Sequence, residues 1–341
     1  MASEPIIARP REDFVSTPQV QELTTRAMGY LEAGLGVNFE GASGTGKTTL
    51  ALHVATQRGR PIVLLTGDNE FGSSNLLGSN QGFRRRKVVD NFIHSVLKVD
   101  EESVASWVDE RLTVACKNGY TLVYDEFTRS KAEANNVLLP VLEEGLLIFP
   151  SAAGKGGYMK VHPEFRAVFT SNPDDYAGVH LAQEALRDRL VTMRLEGFDL
   201  ETEAGIVAAR SGLDPDLAYV ITALSRQTRS DNDAYKVKHS VRAALQIAKV
   251  VVSRELTVRA GNLEFESVVM DILTGSILIE SQRADAKRQI ALLMQRLMPD
   301  SAQPAAAAIA FNAMQEGERL VRSTKDRVAP KQSKALGNTV F

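Results

Sequence analysis

The chain has 341 residues, 44% of them hydrophobic and 24% charged, with a formal net charge of −2. This composition has room for more than one packed core and excludes bulk disorder, while the near-neutral balance gives no global field to recruit nucleic acid or an anionic membrane. The single cysteine, Cys116, excludes an internal disulfide framework, the histidines are scattered, and no apolar run resembles a signal or approaches the ~18 residues of a membrane span, so a cytoplasmic protein without a membrane partner is expected.

Residues 1–16 read as an irregular arm. Thr17-Pro18 has the form of an N-cap followed by proline, opening a helix through Val20, Leu23, Ala27 and Leu31 to Gly34. Leu35–Phe39 reads as a short buried strand, and Gly41-Ala42-Ser43-Gly44-Thr45-Gly46-Lys47-Thr48-Thr49 follows it. These residues complete the G-x-x-x-x-G-K-[ST] pattern, in which glycines let backbone N–H groups cradle phosphates at a helix N-terminus. Lys47 would reach the β- and γ-phosphates of ATP, and Thr48 would hold Mg²⁺. Leu50, Ala51, Val54 and Ala55 continue at helical spacing to Gly59, which supplies the strand, loop and helix that the motif requires.

Arg60–Leu65 reads as a second buried strand, and the alternation of strand and helix implies a three-layer α/β domain. Residues 67–100 carry Gly67, Gly72, Gly78 and Gly82 and the run Arg84-Arg85-Arg86-Lys87; they read as a projecting insertion whose charges are either solvated or a contact for an acidic partner. From Glu101, the apolar positions Val104, Trp107, Val108, Leu112 and Ala115 keep helical period to Gly119, predicting one helix with Trp107 and Cys116 in the core.

Tyr120–Glu126 is an apolar strand ending in paired carboxylates, a Walker B arrangement in which Asp125 would hold Mg²⁺ and Glu126 would polarise the attacking water. Lys131–Glu144 follows as a helix kinked at Pro140. Leu146–Phe149 and Tyr158–Val161 flank the glycine-rich segment Ser151–Gly157 and read as a β-hairpin; its tip lacks the pattern and the helix that a second phosphate loop needs.

Phe165–Thr170 gives a fourth strand, behind which Asn172 is either a γ-phosphate sensor or the start of an Asn-Pro turn. Arg187 and Arg189 precede a fifth strand, Val191–Leu195, and make surface salt bridges or supply an arginine finger to a neighbour's nucleotide. Beyond residue 198 the pattern is helical alone, over about 200–211, 215–228, 239–256, 264–282 and 284–298, with Arg242 opening the third helix. The predicted fold is a three-layer αβα P-loop domain over 17–198, with a parallel five-stranded sheet, an insertion near 67–100 and a hairpin at 146–161. An all-α lid domain over 199–298 and a mobile basic tail over 299–341 complete it.

Walker A at 41–48, Walker B at 121–126, Asn172, Arg189 and Arg242 occur in the order and spacing of an AAA+ ATPase, which the chain resembles. The basic insertion, the hairpin before Asn172, the Asp188-Arg189 pair and Ser240-Val241-Arg242-Ala243 look like the MoxR branch, although Leu190 stands where MoxR relatives commonly carry Phe. More narrowly, Asp13-Phe14-Val15 with Thr17-Pro18, Thr66-Gly67-Asp68, Leu76-Leu77-Gly78, Asp90–Lys98, and Pro150-Ser151 to Val161-His162-Pro163 are similar to the gas vesicle protein N family, over about residues 10–255.

That resemblance implies a Mg²⁺-dependent ATPase forming a ring-shaped homo-oligomer, expected as a hexamer, that promotes assembly and growth of gas vesicles through their shell or accessory proteins. It assigns Lys47 and Thr48 to phosphate and Mg²⁺, Asp125 to Mg²⁺, Glu126 to water activation and Asn172 to sensing. It likewise assigns Arg189 to the neighbouring subunit's site, with Arg187 disputing the role, and Arg242 to the second sensor. Two readings stay open beside it: a MoxR-type activase of a metalloenzyme working with a von Willebrand-type partner, and a nucleotide-gated scaffold that assembles without turnover. A nucleic-acid remodeller using Arg84–Lys87 ranks last, because no helix-turn-helix or basic-aromatic interleaving accompanies those charges.

Overall fold

The computed structural model describes residues 14–70, 72–90, 98–149, 157–173, 181–230 and 240–298, and of 79–90, 98–108, 181–183 and 229–230 the backbone alone. The arm before Phe14, the hairpin tip at 150–156 and the tail from 299 onward, all singled out above, lie outside the described residues. The chain divides into two compact units, with the boundary in sequence between Asp199 and Leu200.

In the first unit, the Thr17 side chain accepts a hydrogen bond from the Val20 amide and Pro18 sets the first turn of α1 (Pro18–Glu32). β1 (Gly36–Gly41) follows, buried at every position, as expected of a strand covered on both faces. Then come α2 (Lys47–Gln57), β2 (Ile62–Thr66), α3 (Ser73–Leu77), β3 (Gly78–Asp90), β4 (Lys98–Asp109), α4 (Arg111–Asn118) and β5 (Thr121–Asp125). A 3₁₀ turn at Phe127–Arg129 leads to α5 (Ala132–Asn135), α6 (Leu138–Glu143), β6 (Leu146–Ile148), β7 (Tyr158–Lys160), β8 (Arg166–Ser171), α7 (Leu181–Arg187) and β9 (Leu190–Leu195).

β2, β5, β8, β1 and β9 form, in that order, one five-stranded sheet in which every pairing is parallel. Parallel strands put their carboxyl ends on one edge, where ligands of open α/β sheets bind. The loop after β1, the acidic end of β5 and the end of β8 therefore share that edge. The core beneath it is aromatic: the Phe127 and Phe169 rings meet edge to face at 5.4 Å, with Tyr124 at 6.1 Å from Phe169.

The insertion differs from its expected form. Residues 98–109 are a strand, paired antiparallel with β3 from Asp90↔Lys98 to Gly78↔Asp109 with one irregularity between Asn80 and Phe83, and only Arg111–Asn118 of the expected helix is helical. Val104, Trp107 and Val108 are residue types that favour a pleated ribbon once a partner strand exists, and their spacing alone does not separate the two. Trp107 stands opposite Asn80, and Arg86 and Lys87 stand opposite Glu102 and Glu101.

The expected helix over 131–144 is likewise broken into α5 and α6, and the gap falls at Asn136-Val137. Pro140 has no N–H for the Asn136 carbonyl four residues back, which takes a bond from the Leu139 amide at 3.2 Å instead.

The second unit contains α8 (Leu200–Ser211), α9 (Pro215–Ser230), α10 (Val241–Arg254), α11 (Leu263–Thr274) and α12 (Glu280–Leu297). α11 stops before Gly275 rather than running to residue 282, since glycine is a poor helix former and weakens the run there. Among the described residues no helix is long and apolar enough to cross a membrane.

Phe169 is fully buried between Tyr124 and Phe127. Phe169→Ala is expected to lower stability by about 3–5 kcal/mol, read as a shifted midpoint in chemical denaturation.

Candidate nucleotide-binding site

The loop between β1 and α2 is glycine-built where it has to be. Gly44 and Gly46 have φ of 78° and 85°, a left-handed backbone that suits glycine. A side chain at Gly41 would place its Cβ 2.5 Å from the Leu195 carbonyl of β9. α2 begins at Lys47 with no side-chain cap from Gly46, so amides of its first turn face the loop as an anion cradle. Thr45 Oγ1 and Lys47 Nζ both donate to the Ala42 carbonyl, at 2.9 and 2.7 Å. Lys47 is only 8% exposed. Ser43 lies exposed at the outside of the loop, and Thr49 half-buried in the first turn of α2.

Next to this loop, Asp125 Oδ1 accepts hydrogen bonds from Thr48 Oγ1 at 2.7 Å and from Thr170 Oγ1 at 2.6 Å. A hydroxyl and a carboxylate oxygen thus converge where a hard cation takes its ligands, and this donor set fits Mg²⁺. Glu126 follows with φ 52°, rare for a residue with a side chain, and its carboxylate pairs with Arg129 at 2.6 Å. Burial pushes the neighbouring Tyr124 hydroxyl up to about 12, so it stays protonated and donates to Ser130 Oγ at 2.7 Å. On the other flank, β1 pairs Glu40 with Ser171, the last residue of β8, so Asn172 follows directly at the carboxyl end of that strand. Lys47, Thr48, Asp125, Glu126 and Asn172 therefore gather at one sheet edge.

The arginines are held differently. Arg187 Nη2 lies 2.6 Å from Glu40 Oε2, and Glu40, 5% exposed in β1, is also 3.3 Å from Arg194 Nε. Arg189 gives Nε and Nη2 to Glu143 Oε2 at 2.8 and 2.6 Å and Nη1 to the Ala185 carbonyl at 2.7 Å. Arg242 belongs to the second unit, exposed in the first turn of α10, whose cap Ser240 accepts from its amide at 3.2 Å.

Sequence reasoning placed Thr170 at a strand end and Gly67 in a turn without a role in the site, and gave none to Arg129, Glu40 and Glu143. Glu40 lay one residue past the strand read from sequence and falls inside β1 in the structure, whereas the others emerge only from register and turn geometry.

Residues 36–190 match the AAA domain of the dynein-related subfamily. Over 304 residues the chain is 48% identical to the gas vesicle ATPase GvpN of Ancylobacter aquaticus, covering 87% of this chain and 85% of that one. The chain belongs to the GvpN family of gas vesicle ATPases. Its similarity to the GvpN of Haloferax mediterranei is 43% identity over 239 residues, covering 70% of this chain and 68% of that one. Protein NorQ of Paracoccus denitrificans is 24% identical over 242 residues, covering 70% and 80%.

Among the arginine partners of this GvpN-family chain, burial separates structural from exchangeable. Glu40→Ala removes a buried carboxylate that two arginines share and is expected to cost about 1.5–3 kcal/mol. Glu143→Ala removes a carboxylate that is 56% exposed and should cost under about 1 kcal/mol. Thermal denaturation of the two variants side by side checks the contrast.

Proposed function

We propose that the chain is a Mg²⁺-dependent ATPase that works as a ring of identical subunits, expected to be hexameric, in the cytoplasm, and promotes assembly and growth of gas vesicles. The observation that supports it best is the 2.7 Å approach of Thr48 Oγ1 to Asp125 Oδ1 beside the nearly buried Lys47. Those groups offer a phosphate cation, a helix N-terminus and two hard oxygens in one place.

In this reading the amides of 41–49 hold the β-phosphate of ATP and Lys47 spans the β- and γ-phosphates. Thr48 and Asp125 would hold Mg²⁺, which when bound neutralises charge between those phosphates. Glu126 orients the attacking water and accepts its proton once the Arg129 pair opens. Asn172 reads the γ-phosphate. Arg189 acts as the finger on a neighbouring subunit, because its partner Glu143 is exposed and exchangeable, while Arg187 is committed to buried Glu40. Arg242 acts as the second sensor.

The gas vesicle context in the names of the GvpN relatives supports a client among the gas vesicle shell or accessory proteins. A second reading, which the MoxR resemblance leaves open, keeps the same engine and changes the client: it activates a metalloenzyme together with a von Willebrand-type partner. A scaffold that binds ATP but assembles without turnover is the third.

Glu126→Gln is expected to keep ATP affinity while phosphate release falls at least about 100-fold; unchanged turnover contradicts the assignment. A tagged Glu126→Gln protein loaded with ATP in its native host should retain gas vesicle shell or accessory proteins, identified by mass spectrometry. Retention of a metalloenzyme with a von Willebrand-type subunit, and no shell protein, favours the second reading. Normal vesicle assembly in cells that carry Glu126→Gln, with failure in Lys47→Ala cells, favours the scaffold.

A further inference from the structure

Thr170 is fully buried near the end of β8, beside the acidic end of β5. A threonine hydroxyl has one proton and lone pairs to accept with. Here the proton goes to Asp125 Oδ1 at 2.6 Å, and the oxygen accepts the Glu126 amide at 2.9 Å. One side chain thereby grips both residues of the Walker B pair.

The same peptide is gripped from the opposite strand. The Gly67 amide, just past β2, donates to the Asp125 carbonyl at 2.8 Å. Gly67 also lacks the Cβ that would stand 2.1 Å from the Glu126 carbonyl, so the Glu126 backbone can pass against it. Between these contacts Glu126 adopts its φ of 52°, a conformation that persists for a non-glycine residue only where its surroundings over-determine it.

We propose that Thr170 is a positioning residue for hydrolysis: its hydroxyl, bonded to the Asp125 carboxylate and the Glu126 amide, sets the direction in which the Glu126 carboxylate leaves the backbone and so where the attacking water is held. The proposal rests on Glu126 being the group that activates water. Valine has nearly the same shape as threonine but no hydroxyl. Thr170→Val therefore keeps the packing, leaves the Glu126 amide without its acceptor and releases the left-handed turn. A group that places the base without touching nucleotide should move kcat and spare affinity.

The test compares wild type, Thr170→Val, Thr170→Ser and Glu126→Gln, with binding read by a fluorescent ATP analogue in the presence of Mg²⁺ and turnover by phosphate release. Thr170→Val is expected to bind within about threefold of wild type while kcat falls about 10–100-fold, inside the range that a positioned base contributes. Thr170→Ser, which restores the hydroxyl, should return kcat to within about threefold of wild type. Wild-type kcat in Thr170→Val with Glu126→Gln inactive overturns the proposal, as does a serine variant as slow as the valine one, or an affinity that falls in step with kcat. Normal turnover in Glu126→Gln removes instead the water-activating role on which the proposal stands. If the valine variant does not fold, Thr170→Ala takes away the same hydroxyl without a new clash and is read by the same criteria.

Discussion

The carboxylate at the end of β5 is the constraint on which the site depends. Asp125 Oδ1 takes hydroxyl protons from two directions, from Thr48 at the start of α2 and from Thr170 on β8. The phosphate loop, the strand bearing the paired acids and the strand leading to Asn172 are thereby tied at one oxygen atom. Partly buried polar networks of this kind specify one arrangement when every member is satisfied and are costly otherwise. The parallel sheet makes the tie possible, because β5 pairs with β8 and β8 pairs with β1, all pointing the same way.

The same economy separates groups that hold the fold from groups that can change partner. Glu40 is buried in β1 between Arg187 and Arg194, so it anchors the segment around β9 to the strand that delivers the phosphate loop. The pair of Arg189 with Glu143 is nearer the solvent, where ion pairs contribute little to stability and are readily exchanged. The finger role proposed for Arg189 is compatible with such a pair, since that charge would have to leave its partner to serve a neighbouring site.

Much of the engine was legible in the sequence because its chemistry dictates residue types at fixed spacing. The loop 41–49 needs glycine where φ is positive, and Lys47, Thr48, Asp125 and Glu126 could be read from strand-loop-helix context alone. The five parallel strands followed from short apolar runs alternating with helical periods. Residues 98–109 misled because Val104, Trp107 and Val108 satisfy a helical period and a strand composition equally, and only the partner strand 78–90 decides between them. Thr170 and Gly67 escaped for a related reason: their roles exist only across the sheet, through register that no local pattern encodes.

The Mg²⁺ dependence of ATP hydrolysis by Asp125→Asn tests the centre of this scheme most directly. The amide keeps the size of the side chain and can still accept from Thr48 and Thr170, but it loses the charge that would bind the metal. If Asp125 holds Mg²⁺, half-maximal turnover should require at least about tenfold more Mg²⁺ than wild type, or turnover should vanish at any concentration. Wild-type turnover at the wild-type Mg²⁺ requirement would contradict the role of Asp125 in holding Mg²⁺.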